Sequence, residues 1–367
     1  MQSISDDKTR ENEVITHKQL QGQKAISSFM YGLKSSEARR QYPKRLKMIF
    51  DFLGLPGSLE EQASDFLEKA GNNVQWAPDS IIAFLDFHNQ RVRRKEIAAG
   101  TLKNYYRTVK LFCEMNDLTT INWKRISRGL PRVKNSSSDR APTIEEIRKL
   151  VEYPDRRIKP IVYVMASGGF RLGSWDYLRW KHVCPITNEK GEIIAAKLII
   201  YADEPENYYT FITPEAFAAL KDWMDFRSSY GEKINGESWV MRDLWQTTNM
   251  NYGAKWGLAT HPKKLKSVAI KRLLDRALWE QGIRHTPLPE GVKRHEWKTA
   301  HGYRKFYKTR AEQVMKPINV EATMGHDLGI SESYWRPRED EVLEDYLKAV
   351  DLLTINDDKL TLRKEVS

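Results

Sequence analysis

Between Leu130 and Pro142 the chain reads Leu-Pro-Arg-Val-Lys-Asn-Ser-Ser-Ser-Asp-Arg-Ala-Pro, two prolines bracketing a basic, serine-rich stretch with little to bury. Such a composition makes a connection and not a layer of a core, so the residues on either side must each close a hydrophobic interior of their own. Thr143-Ile144-Glu145-Glu146 follows at once. A threonine with a glutamate three residues on opens a helix, because each side chain takes up a backbone N–H that the first turn leaves unpaired. These signals divide the sequence into a polar leader over 1–20, a first domain over 21–134, a linker over 135–142, a second domain over 143–354 and a tail over 355–367. A length of 367 residues suits two domains better than one.

The first domain is predicted to be a bundle of about four helices, since apolar residues recur there at helical spacing and nowhere alternate as in a strand. Leu46, Ile49, Phe50 and Leu53 share one face of a helix over 37–53, which Gly54 and Pro56 end. A helix over 60–70 stops at Gly71, a third runs over 80–88 with Ile81, Phe84, Leu85 and His88 inward, and Thr101 caps a fourth carrying Leu102, Tyr105, Tyr106, Val109 and Phe112. The polar faces are basic in three groups. Arg93 and Arg94 lie with Arg91 and Lys95; Lys103, Arg107 and Lys110 follow one helix face; Lys124, Arg125 and Arg128 continue to Arg132 and Lys134 with no acid from Trp123 onward. One such group is an ordinary solvated face. Three on one small domain, in a chain of net charge +11, favour a surface that follows phosphates.

The second domain mixes element types. A helix over 143–153 precedes the apolar run Ile161 to Met165. Residues 193–201 and 208–213 are β-branched and aromatic, and Asp203, Glu204, Pro205, Glu206 and Asn207 join them as an antiparallel hairpin. Pro214 sits at the favoured first position of a further helix, and from 263 onward the pattern is helical. The fold class is therefore mainly α with a small antiparallel sheet. Hydrophobic residues make up 40% of the chain, which excludes wholesale disorder. Two cysteines, Cys113 and Cys184, exclude a disulfide framework or a cysteine metal cluster. No run reaches the ~18 apolar residues that span a bilayer, and the first residues lack a secretion signal, so a cytoplasmic protein without a membrane partner is expected.

Three segments place awkward residues in the wrong context for simple packing. Arg171 lies between Gly168-Gly169-Phe170 and Leu172-Gly173-Ser174-Trp175; semi-buried, it needs an anion, either bound or supplied by an acid such as Asp176. His301 and Arg304 stand i, i+3 on one helix face, among seven bases and two acids between His285 and Arg310. His285, His295 and His301 have no carboxylate or cysteine at ligand spacing, so no metal is expected. Met324-Gly325-His326-Asp327 forms the third, with Tyr334 eight residues after His326.

In this order, Arg, His-x-x-Arg, Gly-His and Tyr, the segments resemble the tyrosine recombinase (integrase) superfamily, whose first motif reads roughly Gly-Leu-Arg-Ile-Ser-Glu-Leu-x-x-Leu-Arg-Trp. The sequence aligns with it without gaps through Arg171, Leu178, Arg179 and Trp180. The resemblance implies a helical core-binding domain that clamps double-stranded DNA together with an α+β catalytic domain. It further implies catalysis by Arg171, His301, Arg304 and His326 around one phosphate, with Tyr334 attacking phosphorus to leave a 3′-phosphotyrosine. No cofactor is implied. A homo-tetramer on paired sites, docked through the C-terminal helix bearing Leu343, Tyr346, Leu347, Val350 and Leu353, and a nucleoid-associated location go with the family. Two departures stand out: Ser174 replaces the usual acid, and the hairpin turn holds Asp203, Glu204 and Glu206 where the family carries a lysine. Lys197 is the candidate for that lysine and Lys190 the alternative; the divergent hairpin resembles archaeal integrases more than bacterial ones. A type IB topoisomerase-like relaxing enzyme, or a DNA-binding relative that has lost catalysis, are the other readings.

Overall fold

The computed structural model describes residues 20–132, 139–244, 263–285, 288, 295–329, 334–335 and 337–356. The chain divides into two compact units, Met1–Ser137 and Ser138–Ser367. Residues 1–19 of the expected leader, 133–138 at the start of the expected linker and most of the tail lie outside the described residues.

The first unit is helical throughout its described residues: α1 (20–31), α2 (Ser36–Phe52), α3 (Leu59–Asn72), α4 (Trp76–Arg93), α5 (Ala99–Met115) and the short α6 (Trp123–Arg128). Phe112 of α5 is the hub of its core, with Phe50, Phe29 and Phe66 at ring separations of 5.3, 5.8 and 5.8 Å. Three expectations need correction. Gly71 does not stop α3, which runs on to Asn72; an exposed glycine in a helix interior costs only about 1 kcal/mol, and the Ser58–Glu61 capping box secures the other end. The third helix begins at Trp76, because Pro78 falls in its first turn, where a missing N–H is harmless. Thr101 lies inside α5, whose N-cap is Ala98 without a side-chain hydrogen bond.

The second unit is built around α8 (Ile158–Gly168), whose residues are all buried except Lys159, as befits a helix that is apolar on nearly all sides. α7 (Ile144–Val151) opens with the Thr143–Glu146 capping box. The sheet is antiparallel in the order β1 (Val183–Thr187), β2 (Ile193–Ile200), β3 (Tyr208–Ile212). β1 is absent from the sequence expectation because Pro185 reads as a breaker; it is tolerated on an edge strand, opposite Ala196. Then come α9 (Pro214–Ser229), with proline in its first turn, α10 (Ser267–Glu280), α11 (Thr299–Ala311), α12 (Pro317–Thr323), α13 (Glu339–Leu347) and α14 (Val350–Leu353). The last two spend their apolar face on their own unit: Tyr346 and Leu353 are buried, and the Tyr346 hydroxyl donates to the Ser167 carbonyl at 3.0 Å. No described helix is long and apolar enough to cross a membrane.

Candidate active site

Two glycine turns set the site. α8 ends where Gly169 adopts φ +61°, and α12 ends where Gly325 adopts φ +63°. A side chain at either position is strained by that backbone, and a Cβ would stand 2.2 Å from the Tyr307 ring or 2.3 Å from the Tyr208 ring. Each turn then offers a carbonyl to an arginine across the site. Arg304, on α11, donates through Nη1 to Gly169 O at 2.7 Å and to Met324 O at 3.1 Å. Arg171, just past the first turn, donates through Nη1 to Gly325 O at 2.8 Å. The two guanidiniums therefore latch the two turns reciprocally.

Neither arginine is paired with a carboxylate among the described residues. Asp176, the sequence candidate for pairing Arg171, is engaged elsewhere: its carboxylate accepts from the Ser267 backbone N–H at 2.7 Å and from the Ser267 hydroxyl at 2.8 Å. Arg171 itself is exposed and not semi-buried, since only its tip is tethered. Arg304 is 7% exposed. Its pKa is lowered, first by burial and next by the Arg171 charge, yet an arginine stays protonated at any physiological pH. A buried cation without a counter-ion carries a penalty on the order of several kcal/mol. A tetrahedral oxyanion accepting from both forks would relieve it.

Both imidazoles of the sequence expectation join them. His326 contacts Arg304 Nη2 through Nε2 and Glu321 through Nδ1, and Glu321 in turn holds Lys308. His301 stands on the same α11 as Arg304, and burial, then the Arg304 and Lys305 charges, hold its pKa below the usual imidazole value. It is therefore neutral at pH 7 and able to accept a proton. Arg171, His301, Arg304 and His326 line one cavity of about 890 Å³, and among the described residues its walls carry seven lysines and arginines against a single acid, Asp275.

No family profile matches this sequence, and no curated protein does. Among solved structures, a lambda integrase dimer bound to a COC′ core site superposes with a TM-score of 0.51 at 14% identity, over 88% of this chain and 98% of that one. The chain has the tyrosine recombinase fold. The XerH site-specific recombinase, in a post-cleavage complex with a palindromic difH substrate, gives 0.50 at 13% identity, over 86% of this chain and 91% of that one.

Within the recombinase fold, three sequence candidates stay outside the cavity. Tyr334 is 86% exposed and does not line it. Lys197, on β2, is ion-paired with Glu339 at 2.9 Å and does not line it either. Lys190 lies in the β1–β2 turn. In the first unit Arg93, Lys103, Arg107, Lys124, Arg125 and Arg128 are exposed, and Lys110 faces Glu114 at 3.5 Å. Arg94 pairs with Glu96 at 2.7 Å, which the reading of a free basic group did not include. Two residues of the site escaped the sequence reading. Tyr208 of β3 has a buried hydroxyl that makes no well-formed hydrogen bond among the described residues, its pKa raised by burial against the pull of Arg304 and Arg171. Glu321 is the other. Among the described residues no cluster of His, Cys, Asp and Glu suits a metal.

Proposed function

We propose that this chain is a site-specific DNA strand transferase, a recombinase or integrase of a mobile element that cuts and rejoins DNA through a 3′-phosphotyrosine on Tyr334. The observation that carries the proposal is the convergence of Arg171, His301, Arg304 and His326, from three separate segments, on one basic cavity in which, among the described residues, no acid neutralises either arginine. Charge builds on the non-bridging oxygens as a phosphodiester becomes pentacoordinate, and preorganised donors stabilise that charge without rearranging. The forks of Arg171 and Arg304 match two such oxygens. Neutral His301 takes the proton of the attacking phenol, the Tyr334 oxygen bonds to phosphorus, and the 5′-oxygen leaves. The phosphotyrosine conserves the energy of the broken bond, so rejoining needs no further energy source. Lys197 protonates the leaving oxygen only if its ion pair with Glu339 opens. That same ion pair favours the second reading, a DNA-binding relative without catalysis.

The three basic groups of the first unit supply the phosphate contacts of a duplex, which gives the protein a nucleoid location. Incubation with a library of nicked suicide duplexes, followed by denaturation and peptide mapping, tests the assignment. Wild type should yield a covalent adduct on Tyr334, and Tyr334→Phe none while still binding DNA; an adduct of undiminished yield with Tyr334→Phe would assign the nucleophile elsewhere. Assembly into a tetramer on paired sites through the C-terminal helix is the finer proposal. Because α13 and α14 are packed in cis, such docking must exchange that packing. Truncation at 338 should then weaken synapsis more than single-site binding; equal loss of both would remove the helix from the assembly.

A further inference from the structure

The C-terminus of α12 closes in a Schellman arrangement. The His326 backbone N–H donates to Glu321 O at 3.1 Å and the Gly325 N–H to Ala322 O at 2.9 Å, with Gly325 in the left-handed region. In that motif the residue two past the cap folds back over the residue three before its end, and the pair commonly makes an apolar contact. Here the pair is Glu321 and His326, and the contact is carboxylate to imidazole. Glu321 is anchored in turn by Lys308 of α11, which also reaches Glu312 at 3.2 Å.

The proton positions follow from what each partner is able to do. A guanidinium only donates, so His326 Nε2 accepts from Arg304 Nη2 and carries no hydrogen there. The ring proton is then on Nδ1, where the Glu321 carboxylate accepts it; the tautomer is assigned from this network. Burial is the largest influence on Glu321 and pushes its pKa up, but hydrogen bonds from Lys308 and His326 outweigh it and leave the carboxyl below its ordinary value, so it is ionised at neutral pH.

We infer that Glu321 is a positioning residue of the phosphate site. It fixes His326 in the Nδ1–H tautomer and so makes that ring an acceptor that aims the buried Arg304 fork. The inference rests on the strand-transfer reading for its catalytic consequence but not for its chemistry. The line Lys308–Glu321–His326–Arg304 alternates donor and acceptor without a break. Of the other charged groups at this corner, Arg171 faces the site from the α8 turn and the Asp327 carboxylate accepts from the Gly329 N–H at 2.7 Å.

Two measurements test it. With histidine labelled in its ring nitrogens and the His326 signals assigned by His326→Asn, the DNA-free protein should show Nδ1 protonated and Nε2 as acceptor. Glu321→Ala should move the ring toward the Nε2–H form, whereas Glu321→Gln, which keeps an acceptor oxygen, should retain the wild-type pattern. In single-turnover cleavage of a nicked duplex, Glu321→Ala should lose about 10- to 100-fold in rate with DNA affinity unchanged, the loss seen when a metal-bound histidine loses the carboxylate that orients it. In the His326→Ala background the same substitution should have no further effect. An Nε2–H ring in wild type, or additive losses in the double variant, would overturn the inference. If wild type forms no adduct with any duplex, the strand-transfer reading fails and the ring-nitrogen measurement still decides the relay.

Discussion

Arg304 and Tyr334 are the two ends of the proposed reaction, and the fold treats them in opposite ways. Arg304 is 7% exposed, held by two carbonyls and an imidazole, and no described carboxylate pairs with its charge. Tyr334 is 86% exposed. The phosphate-binding side of the proposed chemistry is thus completed during folding, with desolvation already met, while the proposed nucleophile stays in water. The contrast teaches where the energy of such a site resides. Preorganised donors are most effective when fixed and dry, whereas a phenol left in solvent carries no burial penalty and is not committed to attack before a substrate is present.

The largest effect expected from breaking this contrast is at Arg304. Arg304→Ala should lower single-turnover cleavage about 100- to 1000-fold, as removal of one preorganised donor does. Inorganic sulfate should raise the melting temperature of wild type, following the ~2.7 kcal/mol that a ligand supplies at a hundred times its Kd, and should leave Arg304→Ala unmoved. Equal sulfate stabilisation of both proteins would show that the cavity does not hold an oxyanion through this residue.

A smaller effect concerns pH. Because the folded pKa of His301 is lowered, its neutral form persists below the ordinary value near 6.5. Cleavage should therefore stay level from pH 8 to about 6.5 and decline as pH falls through the folded value, about tenfold per unit. The linkage runs the same way. A histidine with a depressed folded pKa contributes stability that is full above its unfolded value and is lost on acidification. A rate that declines already above pH 7 would remove His301 as the base.

The smallest effect is expected at Lys197. Its ion pair with Glu339 is partly exposed, and such pairs contribute about 0–1 kcal/mol, so Lys197→Ala should barely change the melting temperature. Its effect on cleavage sharpens the comparison. A change within a few-fold means that the leaving oxygen finds its proton elsewhere, and a hundredfold loss means that the pair with Glu339 opens when DNA binds.

Much of this arrangement is legible in the sequence, and the boundary of legibility is physical. The His-x-x-Arg spacing places His301 and Arg304 on one face of α11 because a helix repeats every 3.6 residues, and the glycines before Arg171 and His326 mark turns. Local rules stop there. Tyr208 reads as one more aromatic on a strand, and only the meeting of β3 with the α12 turn puts its ring against Gly325. Glu321 lies five residues before His326, a separation that no regular helix brings face to face; the Schellman turn does. Arg171 was expected half-buried from its apolar neighbours, but Phe170 and Trp175 turn inward and leave it outside. Pro185 hid an edge strand, and Thr101 drew a helix start three residues late.

The crossed latch of Arg171 on Gly325 and Arg304 on Gly169 has a consequence for inheritance. Both acceptors are main-chain oxygens, so the latch asks of evolution only that the two glycine turns be kept, and not that a side-chain partner be matched. Partners built from side chains must drift in matched pairs, whereas these arginines keep their anchors for as long as the two turns keep their shape. Where residues at most other positions have been replaced, that is a geometry able to outlast the sequence around it.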